Sequence, residues 1–171
     1  VDDDDGFREF VRVRYVDLLR TAYLLSGSRD AAQDLVQNAL VKVMRRWSRV
    51  DDPMAYLRRT MVNDRTARWR RIGSRELLTA FVPERWRPDS ADAVVERDEL
   101  LTALGQLPVR MRAVLVLRYW EDLSEADTAA VLGCSVGTVK SQAARGLARL
   151  RVLLAPPVTG RQVEAVRGGQ A

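Results

Sequence analysis

Residues 124–150 read SEADTAAVLGCSVGTVKSQAARGLARL. Ser124 is placed to cap a short helix, and Asp127, three residues on, supplies the acid of a capping box. Ala129, Ala130, Val131 and Leu132 make that helix small and apolar, so it can pack closely. Gly133 ends it, since glycine takes the left-handed conformation of a sharp turn. Ser135 caps a second helix carrying Thr138, Lys140, Ser141, Gln142, Arg145 and Arg149. No Asp or Glu occurs between Gly133 and Val163. Two helices around a tight turn, the second cationic and starting with hydroxyls, form a helix-turn-helix suited to a DNA major groove.

The rest of the chain agrees with a polyanionic partner. Net charge is +5 over 171 residues, and the basic groups are segregated. Residues 55–76 hold seven Arg against two acids, whereas Asp2 to Asp5 form an acidic run. Arg outnumbers Lys twenty-six to two, a bias that also reflects genome composition. Scattered arginines on a solvated surface explain many of these charges, but not the two basic blocks. One cysteine, Cys134, and no histidine exclude a disulfide framework, the usual zinc sites and histidine acid–base catalysis within one chain. Cys134 reads as a small apolar filler in the turn. No apolar run approaches a membrane span, and the acidic start is unlike a signal peptide, so a cytoplasmic protein without membrane insertion is expected. Nothing calls for a cofactor.

Working outward, the periodicity predicts an all-α chain. Phe7, Phe10, Val11, Tyr15, Leu18, Leu19, Ala22 and Leu25 make one helical stripe ended by Gly27. Ser28 or Asp30 opens a second helix running to Trp47, with Ala32, Val36, Leu40 and Val43 along one side. Asp51-Asp52-Pro53 forces a turn, and a third, Arg-rich helix spans residues 54–71. A fresh pattern begins near Ala93, restarts at Pro108 and continues to Trp120. The expected organisation is an acidic tail (1–6), a helical domain (7–72), a linker (73–92) with a short helix near 75–81, a helix-turn-helix domain (93–155) and a frayed tail (156–171). Lobes of about seventy residues sit near the lower limit for a self-sufficient core, so both should gain stability by docking onto something larger.

Two segments carry a family resemblance. Asp34-Leu35-Val36-Gln37, within DAAQDLVQNALVKVMRRW, resembles region 2 of bacterial sigma factors. LGQLPVRMRAVLVLRYWEDLSEADTAAVLGCSVGTVKS resembles region 4. With only a short linker between them, the chain is similar to the extracytoplasmic-function group from Phe7 to Leu154, and LLRTAYLLSGSRDAAQDLVQ resembles its actinobacterial SigE-like branch.

The resemblance implies promoter-specific initiation with core RNA polymerase, recognising −10 and −35 elements. The partners it implies are the β′ clamp helices and β flap of the polymerase, promoter DNA and, as in many relatives, an anti-sigma factor that clamps the two lobes. It places Asp34, Leu35, Gln37, Asn38 and Met44 against the clamp helices, with Val36 in the core. Opening a promoter means capturing an unstacked base and holding a single strand by charge and stacking. The loop 48–55, with Arg49, Asp51 and Asp52, is the implied base pocket. Arg58, Arg59, Asn63, Arg65 and Arg70 are the implied −10 contacts. Trp69 suits packing better than stacking. The family often has an acid where Ala67 stands and Trp where Tyr56 stands.

Thr138, Lys140, Ser141, Gln142, Arg145 and Arg149 are the implied −35 readers. Gln142 and Arg145 should stand nearly one above the other, with Lys140 and Arg149 to the sides. Relatives commonly have Arg at Gln142 and a large residue at Ala144. Gln favours adenine where Arg favours guanine, so the −35 preference should shift.

The alternative, a stand-alone helix-turn-helix regulator, predicts a dimer on palindromic sites and leaves DLVQ unexplained. An enzyme is remote, with no histidine, glycine-rich phosphate loop or nucleophile motif.

Overall fold

Ser28, Ser124 and Ser135 each take extended backbone and start a helix, because each side-chain oxygen accepts a backbone N–H of the first turn. The computed structural model describes residues 2–72 and 99–155, with side chains for 5–67 and 99–155. The linker, its short helix near 75–81 and the segment 156–171 lie outside the described residues, as do the side chains of Trp69 and Arg70. Helices α1 (Asp2–Ser26), α2 (Arg29–Met44) and α3 (Pro53–Ile72) form the first unit. α4 (99–105), α5 (Val109–Leu115), α6 (Glu125–Leu132) and α7 (Val136–Leu153) form the second, and no strand occurs among the described residues.

Two boundaries differ from the sequence reading. The acidic run is not a tail: α1 begins at Asp2. Helical order comes chiefly from a packed apolar face, and Phe7 and Phe10, one turn and two turns on and packed on Trp47, carry the helix through these residues. α2 stops at Met44 instead of Trp47. Trp47 opens a 3-10 turn (Trp47–Arg49) and packs against Phe7 and Phe10 of α1, with ring centroids 5.3 and 5.2 Å away. Burying three aromatic rings together outweighs one further α-helical turn. Asp52 then caps α3, its Oδ1 accepting from Ala55 N at 3.0 Å, with Pro53 at the first helical position, where no N–H is needed.

The first unit closes on residues with essentially no exposure. Leu18, Ala22 and Leu25 of α1 meet Ala32, Val36, Ala39 and Val43 of α2 and Leu57 and Met61 of α3. Three alanines at the contact let the helices approach closely. In the second unit, Leu104, Leu107, Met111, Val114, Leu115, Ala129, Val139 and Ala143 form the core. Gly133 turns the chain between α6 and α7 at φ 63°. Cys134 is half-buried against this cluster, as a small filler should be.

Gly146 is where α7 rests on α5. A Cβ there would stand 2.9 Å from Met111 Cγ and 3.0 Å from Leu115 Cδ1. Gly146→Val should therefore destabilise the chain by about 2 kcal/mol through overpacking. Gly137→Ala, whose new methyl would meet only Ser135 Oγ at 3.8 Å, should be neutral or gain up to about 1 kcal/mol from helix propensity. Urea unfolding of the two variants checks the contrast. Equal effects would place the α5–α7 contact elsewhere.

The expected pair of separately cored lobes is only part of the picture. Leu101, Ala113, Val116, Leu117 and Val131 of the second unit belong to the same buried cluster as α1–α3. The units thus dock on each other. The helix after α5 widens into a π-turn (Val116–Trp120), where Glu121 N–H bonds Val116 O at 3.0 Å. Asp122 at φ 51° then reverses the chain, a conformation Asp tolerates better than most residues.

Candidate functional site

The outer face of α2 carries one stripe. Residues 34, 37, 38, 41 and 44 share it by helical spacing, and all five are exposed. Asp34, Gln37 and Asn38 are polar, while Val41 and Met44 remain 45% and 49% exposed. Val41 is absent from the sequence-based candidates, although its place three residues before Met44 and seven after Asp34 marks it. Leu35 is a correction. It is 7% exposed and faces the core, because it stands about 100° round the helix from Asp34 and shares its side with Ala32 and Ala39. It offers no surface to a partner in this arrangement.

The loop before α3 and the start of α3 border a cleft of about 680 Å³. Arg49, Asp51, Asp52, Tyr56 and Arg59 line it, together with Arg46, which sequence reasoning overlooked. Guanidinium groups beside an aromatic ring suit a single strand with one base turned out. Asp52 also serves as the α3 cap, so part of its acceptor capacity is spent on the backbone. Asn63 is exposed and shares the α3 face of Tyr56 and Arg59, one turn farther along.

Arg58 and Arg65, expected to face DNA, are engaged by protein groups in this arrangement. Arg58 is only 19% exposed in its side chain and binds Glu121 of the second unit at 2.6 Å. Arg65 is buried and donates Nε–H to Leu25 O at 3.1 Å. The last carbonyls of α1 are the negative end of its dipole, which draws cations. Arg112 reaches the same carbonyl from α5 at 3.2 Å and also donates to Gly105 O at 2.7 Å. Burial, and then the neighbouring Arg65 guanidinium, pushes the Arg112 pKa down to about 10, so it still carries its charge at neutral pH.

α7 presents the second surface. Val139, Ala143 and Gly146 are buried against the core, whereas Thr138, Arg145 and Arg149 are exposed and Ser141 and Gln142 half-exposed. Ser135 Oγ accepts from Thr138 N at 3.1 Å and pairs with Thr138 Oγ1 at 2.9 Å. These bonds fix the first turn, the part of a recognition helix that enters a groove. Lys140 stands apart, 3.6 Å from Glu125 of α6. Arg149 is not to the side, contrary to the sequence-based expectation. Seven residues after Gln142, it lies within about 20° of the same line and about 10 Å farther along the axis.

Comparisons with known proteins agree with this division. Residues 10–75 match the family model for sigma-70 region 2, and residues 97–150 match that for sigma-70 region 4. Over 148 residues the chain is 44% identical to the RNA polymerase sigma-E factor of Streptomyces coelicolor, covering 85% of this chain and 84% of that one. Over 147 residues it is 33% identical to the ECF RNA polymerase sigma factor SigL of Mycobacterium tuberculosis, covering 80% and 82%. The sigma factor RpoE of Bartonella quintana, solved with the anti-sigma factor NepR, superposes with a TM-score of 0.72 at 26% identity, covering 87% of this chain and 96% of that one. CnrH, solved with the cytosolic domain of CnrY, gives 0.64 at 25% identity, covering 88% of each. With both regions present in order, the polar stripe on α2 and the capped basic helix α7 fall into place: the chain belongs to the RNA polymerase sigma factors, in their extracytoplasmic-function group.

Proposed function

We propose that this chain docks on core RNA polymerase through the α2 stripe, Asp34, Gln37, Asn38, Val41 and Met44. In the same assignment the cleft residues Arg49, Asp51, Asp52 and Arg59, with Asn63 and Arg70, read the −10 element, and Arg58 joins them once it is released from Glu121. Thr138, Ser141, Gln142 and Arg145 read the −35 element, and Lys140 and Arg149 hold phosphates. The protein performs no bond chemistry of its own. It works in the cytoplasm, and among the described residues no helix is long and apolar enough to cross a membrane. RpoE and CnrH were each solved with a partner, RpoE's being an anti-sigma factor, and a partner of that kind is proposed here too. The observation that carries the reading is the presence, on one chain, of an exposed polar stripe on α2 and a hydroxyl, amide and guanidinium arc, exposed or half-exposed, on α7.

The arc gives a specific test. Gln142→Arg should move preference at one −35 position towards guanine by about 1–3 kcal/mol, the worth of a good bidentate pair. Arg149→Ala should weaken all promoters alike, since phosphate contacts carry no sequence information. A −35 promoter library transcribed by each variant separates the two. If Gln142→Arg rescales activity without reordering the promoters, that side chain does not face the bases.

A further inference from the structure

We propose that Glu121 is an intramolecular latch that holds the second unit over the −10 surface when the protein is free. The inference rests on the promoter reading above. Glu121 lies at the end of the π-turn, and its side chain is only 10% exposed. One carboxylate oxygen accepts from Arg58 Nε at 2.6 Å, and the other accepts from the Thr21 hydroxyl. Glu121 therefore ties the second unit to α1 and α3 at once. It occupies Arg58 with a carboxylate where a promoter strand would supply a phosphate.

Neighbouring contacts close the same face. Ala130 and Val131 of α6 form one wall of the cleft whose other walls are Arg49, Asp51, Asp52, Tyr56 and Arg59. Arg112 reaches across to the carbonyl of Leu25, which Arg65 holds from within the first unit, and so adds a second tie between the units.

Length shows that the latch must release. A compact chain of this size has a radius of gyration of about 15 Å, hence a diameter of about 40 Å. Elements centred about 25 base pairs apart, at about 3.4 Å per step, are separated by about 85 Å. The two readers cannot reach both elements while their units share a core. Removing one partner of a buried ion pair leaves the other charge uncompensated, so loss of Glu121 bears on the closed form specifically.

The test uses the full chain, with dyes on Arg29→Cys and Ala144→Cys in a Cys134→Ser background, all of them outside the joint. The free protein should show high energy transfer. Glu121→Gln should lower it, Glu121→Arg should lower it further, and Glu121→Arg with Arg58→Glu should restore it. Unlabelled Glu121→Gln should bind a single-stranded thymidine oligonucleotide about tenfold more tightly, in proportion to the open fraction. Asp17→Asn, on an exposed part of α1, controls for the lost negative charge and should change binding less than twofold. Circular dichroism identifies variants that keep their helices, and Glu121→Gln, nearly isosteric, is read if Glu121→Arg does not. Low transfer in the free wild type, or Glu121 variants as closed as wild type, overturns the latch. The promoter reading is judged separately, by transcription with core polymerase.

Discussion

Leu57→Ala is expected to remove about 3 kcal/mol from folding stability. Leu57 is fully buried in α3 among Leu18, Val36 and Val43. Its loss combines the transfer free energy of three carbons with a cavity that backbone-tight alanines cannot collapse around. A small domain has only about 5 kcal/mol to lose, so the variant should unfold well below the wild-type midpoint and lose polymerase binding as a consequence. Urea denaturation followed by helicity measures this directly. A loss under about 1 kcal/mol would mean that α3 does not pack on α1 and α2 as described.

Asp34→Ala combined with Gln37→Ala should act in the opposite manner, on binding and not on folding. Both side chains are exposed on α2, so helicity and midpoint should stay near wild type. Truncating a polar side chain that is engaged at a protein interface costs about 1–3 kcal/mol, so the two changes together should weaken affinity for core enzyme at least about thirtyfold. Adding Met44→Ala should deepen the loss, and Leu40→Val, half-buried against the core, should change affinity far less. A titration of labelled protein with core polymerase reads these effects. Unchanged affinity in the double variant would remove the α2 stripe from the proposal.

The sequence is most legible where structure is local. Ser28, Ser124 and Ser135 cap the helices they precede, and Gly27 and Gly133 take positive φ where each helix stops. Asp52 reads as a DNA contact by family position, yet Asp-Pro at a helix start is a cap followed by a first-turn proline, and its carboxylate does cap α3. Leu35 shows the opposite error. Motif position suggests a contact, whereas the 3.6-residue period puts it beside Ala32 and Ala39 in the core.

The joint between the units is not legible. Glu121 meets Arg58 across 63 positions and Thr21 across 100, and Arg112 meets Leu25 across 87. Hydrophobic periodicity identifies an inward face but not which other element it meets. A glutamate after a Tyr-Trp pair reads as a solvated acid until the helix before it widens and carries it onto α1 and α3. The same joint explains why Arg58, a sound candidate for DNA contact by charge alone, is engaged by a protein group in this arrangement, while Arg65 is taken up within the first unit by the end of α1.

Promoter-dependent transcription by sigma-free core polymerase is the most direct measurement of the central claim. The protein should convert core enzyme from non-specific initiation to synthesis from a defined start, on a promoter carrying both −10 and −35 elements. Activity should fall when either element is scrambled and when Asp34 and Gln37 are both replaced by alanine. Core polymerase that gains no promoter-dependent product, while the free protein binds a palindromic site tightly as a dimer, would contradict the account and favour a stand-alone regulator.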